Sequence, residues 1–138
     1  MTLYYDTSAV VKLIVREAES ESALDLFGSA VELASASIGY VEAQSALGRI
    51  ARDRRLSATR RRRARDDLDR VWSETYVIEL DDVLIRSAAD TADVLQLTAG
   101  DAIHLAAALT VDATELVFAT WDAELRRAAL EAGLAVAP

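Results

Sequence analysis

Leu3-Tyr4-Tyr5-Asp6-Thr7-Ser8-Ala9-Val10-Val11-Lys12-Leu13-Ile14 decides the fold. Three bulky apolar residues end at an aspartate, and Val10, Val11, Leu13 and Ile14 then recur at helical spacing. This predicts a strand at about 2–6 and a helix from near Ser8, with no glycine or proline between them. The same alternation continues to the end of the chain. Helices are expected at about Ser20–Phe27 (stopped by Gly28), Ile38–Arg54, Ser57–Ser73, Asp81–Leu97, Asp101–Val111 and Asp122–Ala132. Strands are expected at Val31–Ala34, Thr75–Leu80, Glu115–Ala119 and Leu134–Ala137. Strands separated by helices imply a parallel sheet covered on both faces, an α/β sandwich, with ligands taken at the carboxyl ends of the strands.

A chain of 138 residues, 52% of them hydrophobic, fits one domain spanning 1–138 with a proper core. It has no cysteine, which excludes disulfides, thiolate zinc sites and cysteine nucleophiles, and its single histidine, His104, excludes a His-rich metal site. The N-terminus lacks the pattern of a signal peptide, and no apolar run approaches the roughly 20 residues needed to span a bilayer. A cytoplasmic protein without a membrane partner is the expectation.

Two acids fall where strands should end: Asp6 closes the first, and Asp122 follows the strand at 115–119. Two more lie on helices, Glu42 within 38–54 and Asp101 at the start of 101–111. In a parallel sheet the strand ends share one edge, and Asp101 joins them if its helix begins there. Carboxylates gathered in a cleft repel one another, and hard divalent ions with a preference for oxygen relieve that repulsion. Such ions activate water and steady charge on a phosphodiester. Each acid also has a plain structural use. Asp6 and Asp122 are suited to capping the helices that follow them, and Thr98-Ala99-Gly100-Asp101 matches a capping box. Glu42 is harder to explain this way, because its one-turn neighbours Ile38, Gly39, Ser45 and Ala46 include no cation.

Four segments, Tyr5-Asp6-Thr7-Ser8-Ala9-Val10-Val11-Lys12, Tyr40-Val41-Glu42-Ala43-Gln44-Ser45-Ala46-Leu47, Leu97-Thr98-Ala99-Gly100-Asp101-Ala102-Ile103-His104-Leu105-Ala106 and Phe118-Ala119-Thr120-Trp121-Asp122-Ala123-Glu124-Leu125, resemble motifs of the PIN-domain family, particularly the VapC-type toxins of toxin–antitoxin pairs. The resemblance implies a PIN-like three-layer sandwich, with four or five short parallel strands flanked by about seven helices. It implies a Mg²⁺- or Mn²⁺-dependent endoribonuclease, and the mechanism expected at such a site is attack by metal-activated water that leaves a 5′-phosphate. It carries over Asp6, Glu42, Asp101 and Asp122 as the acidic metal-binding set, with Thr120 and Ser8 as supporting hydroxyls. It also implies a homodimer and a cognate VapB-type antitoxin.

The net charge of −8 conceals an asymmetry. Residues 49–70 hold ten arginines against four acids, a net +6, so the remainder carries −14. The run Arg60, Arg61, Arg62 and Arg63 either grips RNA phosphates or is a solvated or partner-facing surface. His104 is expected to be a packed core histidine, although it could orient a carboxylate or touch substrate. Trp72 and Trp121 are expected to pack rather than stack on bases, and Tyr4 and Tyr5 read as strand packing. Two enzyme alternatives lack their residues. A phosphatase or phosphoacceptor built on Asp6 needs a lysine late in the chain, and the only lysine is Lys12. A serine hydrolase needs a Gly-x-Ser-x-Gly elbow. A non-catalytic PIN-like module that binds RNA or protein remains the other reading.

Overall fold

The computed structural model describes all of Met1–Pro138. In chain order the elements are β1 (Thr2–Tyr5), α1 (Thr7–Ile14), α2 (Ser20–Ser29), β2 (Glu32–Ala36), α3 (Ile38–Asp53), α4 (Ala58–Ser73), β3 (Thr75–Ile78), α5 (Asp82–Leu95), α6 (Ala99–Ala108), β4 (Leu116–Ala119), α7 (Ala123–Glu131) and β5 (Ala135–Ala137). Five strands and seven helices match the expected α/β class. Two boundaries differ in ways that bear on the reading. Helix α2 runs through Gly28 instead of stopping before it, since packing outweighs a single glycine's cost of about 1 kcal/mol. Helix α6 begins two residues earlier than the spacing predicts, so Asp101 lies within its first turn instead of at its start.

All strand pairings are parallel, in the order β3-β2-β1-β4-β5. The chain winds from β1 to one side and later from β1's other neighbour to the opposite side. Right-handed crossovers therefore place the two sets of helices on opposite faces. Strand β1 shows the consequence through its period of two. Leu3 and Tyr5 pack with residues of α1, α3 and α4, including Val10, Leu47 and Leu68. Tyr4 points the other way, among Leu105, Phe118 and Leu125 from the α5–α7 side. That second layer is rich in alanine, with Ala102, Ala106, Ala107 and Ala108 all buried on α6, so its helices lie close to the sheet.

The reversal of winding at β1 leaves a crevice between the carboxyl ends of β1 and β4, the usual binding place in such sheets. Residues directly after both strands face it. Helix α6 runs back toward the start of β4, so its N-terminus opens at this same edge. No helix is long and apolar enough to cross a membrane.

Candidate active site

Asp6 follows β1 and is 4% exposed. Ser8 Oγ donates to its Oδ1 at 2.7 Å, Thr120 Oγ1 donates to Oδ2 at 2.8 Å, and the Ala9 amide donates to Oδ1 at 3.0 Å. Asp6 thus does cap α1, as its plain reading expects, and the cap fixes the direction of the carboxylate. Ser8 serves a second task by accepting the Trp121 amide at 2.8 Å, which ties the segment after β4 to the start of α1. Burial pushes the Asp6 carboxyl above its ordinary range, against the hydrogen bonds from Ser8, Ala9 and Thr120 and the influence of His104.

Thr120 links Asp6 to the next acid. While donating to Asp6, its hydroxyl accepts the Asp122 amide at 3.1 Å. Asp122 caps α7 through Oδ1, which accepts the Leu125 amide at 2.9 Å, and its Oδ2 makes no hydrogen bond. Asp101 stands in the first turn of α6, whose cap is Thr98. Burial raises the Asp101 carboxyl, and the negative charges of Asp122 and Glu42 raise it further, opposed by the Thr98 hydroxyl and by His104. Asp101 therefore senses both neighbouring acids across the crevice.

Glu42 reaches the same place from α3. Its side chain is 35% exposed, and its Oε1 accepts two hydrogen bonds, from Thr7 Oγ1 at 2.9 Å and from His104 Nε2 at 2.7 Å. Oε2 lies against the first turn of α6, where a Cβ on Gly100 would come within 2.9 Å of it. Glycine at position 100 thus permits this approach, which sets an anion at the positive end of α6, and a larger residue there would push Oε2 aside. A Cβ on Gly39 would meet Ser35 Oγ at 2.9 Å, so glycine lets the start of α3 lie close to β2. Burial opposes ionisation of Glu42, but the hydrogen bonds from His104 and Thr7 reverse this and hold its carboxyl below the usual range.

The four acids are therefore joined by short links that almost close a ring: Asp122 and Asp6 through Thr120, then Thr7 to Glu42, and Glu42 against the α6 turn that holds Asp101. No three of them form a ready-made metal cage. In donor type they nevertheless suit a hard dication. All are oxygen ligands, two have raised carboxyls (Asp6 by burial, Asp101 by burial and the charges of Asp122 and Glu42), and Glu42 Oε2 and Asp122 Oδ2 are unengaged.

Sequence reasoning passed over Thr7 and gave Tyr4 only a packing role. The Thr7 hydroxyl bonds Glu42. Tyr4 is fully buried on its strand, and its hydroxyl also lies 3.0 Å from His104 Nδ1. His104 is the packed residue expected, at 2% exposure, and it also holds a carboxylate. Trp72 tilts against Tyr40 at 5.5 Å between centroids, and Trp121 packs among the α1–α4 layer.

The arginine run lies outside this ring. Helices α3 and α4 form a hairpin. Tyr40, near the site, donates to Asp69 at 2.6 Å, while Arg61 sits beside Gly48, six residues or about 9 Å of helix beyond Glu42. Successive residues step by 100°, so the run divides. Arg60 and Arg63 border a hollow with Leu13, Ile14 and Leu24, whereas Arg61 and Arg62 border the α3–α4 crevice with Gln44 and Gly48.

Comparison with known proteins agrees with this architecture. The family model for the PIN domain matches residues 3–131. Ribonuclease VapC45 of Mycobacterium tuberculosis is 35% identical over 136 residues, covering 99% of this chain and 94% of that protein. Among solved structures, PAE2754 from Pyrobaculum aerophilum superposes with a TM-score of 0.70 at 24% identity, covering 99% of this chain and 83% of that one. VapBC2 from Rickettsia felis, bound to a DNA fragment from its promoter, gives 0.67 at 16% identity and covers 99% and 98%. These two likenesses concern the fold.

Proposed function

The chain belongs to the PIN-domain family, and from that premise we propose that it is a VapC-type ribonuclease, the toxin of a toxin–antitoxin pair, cleaving RNA phosphodiester bonds at the acidic ring. The observation behind this is the convergence of Asp6, Glu42, Asp101 and Asp122, from four separate elements, on one crevice at the carboxyl edge of the sheet.

Within the proposal, Asp6, Asp101 and Asp122 would hold Mg²⁺ or Mn²⁺, and Glu42 would join them through Oε2. A bound dication supplies activation of water and charge to steady the phosphodiester. The protein's own groups do the rest. Thr120 and Ser8 keep the buried Asp6 carboxylate in one orientation. Thr7 and His104 take up Oε1 of Glu42. The caps on α1 and α7 fix Asp6 and Asp122, so little reorganisation is needed when substrate arrives. Arg61 and Arg62, which border the α3–α4 crevice outside the acidic ring, would contact phosphates further along the RNA and supply affinity that an acidic body lacks. The proposed partners are RNA, a VapB-type antitoxin and a second copy of the chain, and the proposed setting is the cytoplasm.

The test is cleavage of RNA by the purified chain in Mg²⁺ or Mn²⁺. Cleavage should stop with EDTA, resume when metal is restored, and be missing from Asp6→Asn. Intact RNA in metal-replete buffer would overturn the enzyme reading, and retention of that RNA without turnover would leave the non-catalytic module in its place.

A further inference from the structure

We propose that Tyr4 and His104 are positioning residues that hold the imidazole with its proton on Nε2 and thereby present Glu42 to the site through one oxygen, Oε2. This rests on the ribonuclease reading above.

The assignment follows from counting donors. The Ala36 amide donates to the Tyr4 hydroxyl oxygen at 3.2 Å. The phenol's own proton then goes to its other neighbour, His104 Nδ1, at 3.0 Å. Nδ1 therefore accepts, and Nε2 carries the hydrogen that Glu42 Oε1 receives at 2.7 Å. Any form with a proton on Nδ1 leaves the phenol proton without an acceptor. The neutral tautomer of that kind would also set the Nε2 lone pair against a carboxylate oxygen. Water offers no substitute, because Tyr4 is fully buried and His104 nearly so. The rings are held as well. Phe118 stacks on Tyr4 at 5.2 Å between centroids, and His104 meets Tyr4 edge-on at 6.0 Å. With Thr7 as the second donor, Oε1 is fully used and Oε2 is the oxygen left to act. Burial pushes the Tyr4 phenol well above its ordinary range, so it remains a donor throughout the working pH range. Strand β1 thus orients both ends of the site, Asp6 directly and Glu42 through Tyr4 and His104.

Two measurements test this. Two-bond ¹H–¹⁵N correlation on the metal-free wild-type chain reads the imidazole without any turnover, and should show Nδ1 unprotonated. Steady-state kinetics on folded variants should show Tyr4→Phe losing roughly 10–100-fold in kcat, the usual cost of removing such a supporting partner, with KM for RNA unchanged. His104→Gln, whose amide offers an acceptor and a donor in one plane, should keep clearly more kcat than His104→Leu. A proton on Nδ1 in the wild type, a wild-type kcat in Tyr4→Phe, or equal losses in folded Gln and Leu variants would each overturn the assignment. If the wild type cleaves no RNA, the ribonuclease reading fails separately, and the tautomer still decides whether the relay exists. Should Tyr4→Phe not fold, the tautomer and the Gln–Leu pair carry the decision.

Discussion

Asp6 and Glu42 sit at two corners of one site and are built in opposite ways. Asp6 is almost wholly buried and is held by hydroxyls and one amide, so desolvation prevails and its carboxyl is raised. Glu42 is about one-third exposed and is held by an imidazole and a hydroxyl, so its partners prevail and its carboxyl is lowered. The contrast shows that charge at this site is set by what each acid faces, since burial acts in the same direction on both. Asp6 brings a destabilising charge to a fixed place, and Glu42 brings a charge already compensated on one oxygen.

Removing either acid should expose that difference. Asp6→Asn should lose on the order of 10³-fold in cleavage, about 4 kcal/mol of transition-state stabilisation. It should nonetheless fold, because asparagine also caps helices. A carboxyl raised by folding contributes stability below its unfolded pKa, and that contribution disappears as pH rises through the folded value. The metal-free Asn variant should therefore melt above wild type at neutral pH, by on the order of 1 kcal/mol or roughly 3–5 °C, with the gap closing in acid. Differential scanning calorimetry at several pH values checks this.

Glu42→Gln should cost roughly 10²-fold in cleavage, since one ligand oxygen remains as an amide. Its stability effect should run the other way. A carboxyl lowered by folding contributes stability above its unfolded pKa and loses it as pH falls through the folded value, so the variant should melt below wild type at neutral pH. It should also let the Asp101 carboxyl fall toward its ordinary range, readable by NMR titration of the metal-free protein, because one of the charges raising it is gone. Thr120→Val should cost about tenfold in rate and about 1–3 kcal/mol in stability, as Asp6 loses a donor and the Asp122 amide its acceptor. The smallest effect belongs to the arginines. Changing Arg61 and Arg62 together to Ser should flatten the salt dependence of RNA binding by about 1.4 in log–log slope for single strands, and an unchanged slope would return them to a solvated surface.

The two corners also differ in how far they can be read from sequence. Asp6 ends a strand and opens a helix, and two of its donors, Ser8 and the Ala9 amide, lie within three residues, so a local pattern exposes all of that corner except Thr120, 114 residues away. Glu42 shows only an acid without a cation at one-turn spacing. Its donors Thr7 and His104 come from other elements, 35 and 62 residues distant, and no periodicity reports such a meeting. Tyr4 alternates correctly into the core, which conceals that its hydroxyl is needed there. The element order was legible because strand and helix patterns are strong and loops short. Gly28 misleads, because a stop signal is a local preference that packing overrode. The run Arg60–Arg63 reads as one patch, yet helical geometry sends its members to two sides.

The central claim is that four acids from separate elements act together on one hard cation. Calorimetric titration of Mn²⁺ into the metal-free chain, beside Asp6→Asn and Asp101→Asn, tests it most directly. The account predicts saturable binding to the wild type, weakened at least tenfold in both variants. A wild-type chain that takes up no Mn²⁺ at millimolar levels, or variants that bind it equally well, would contradict it.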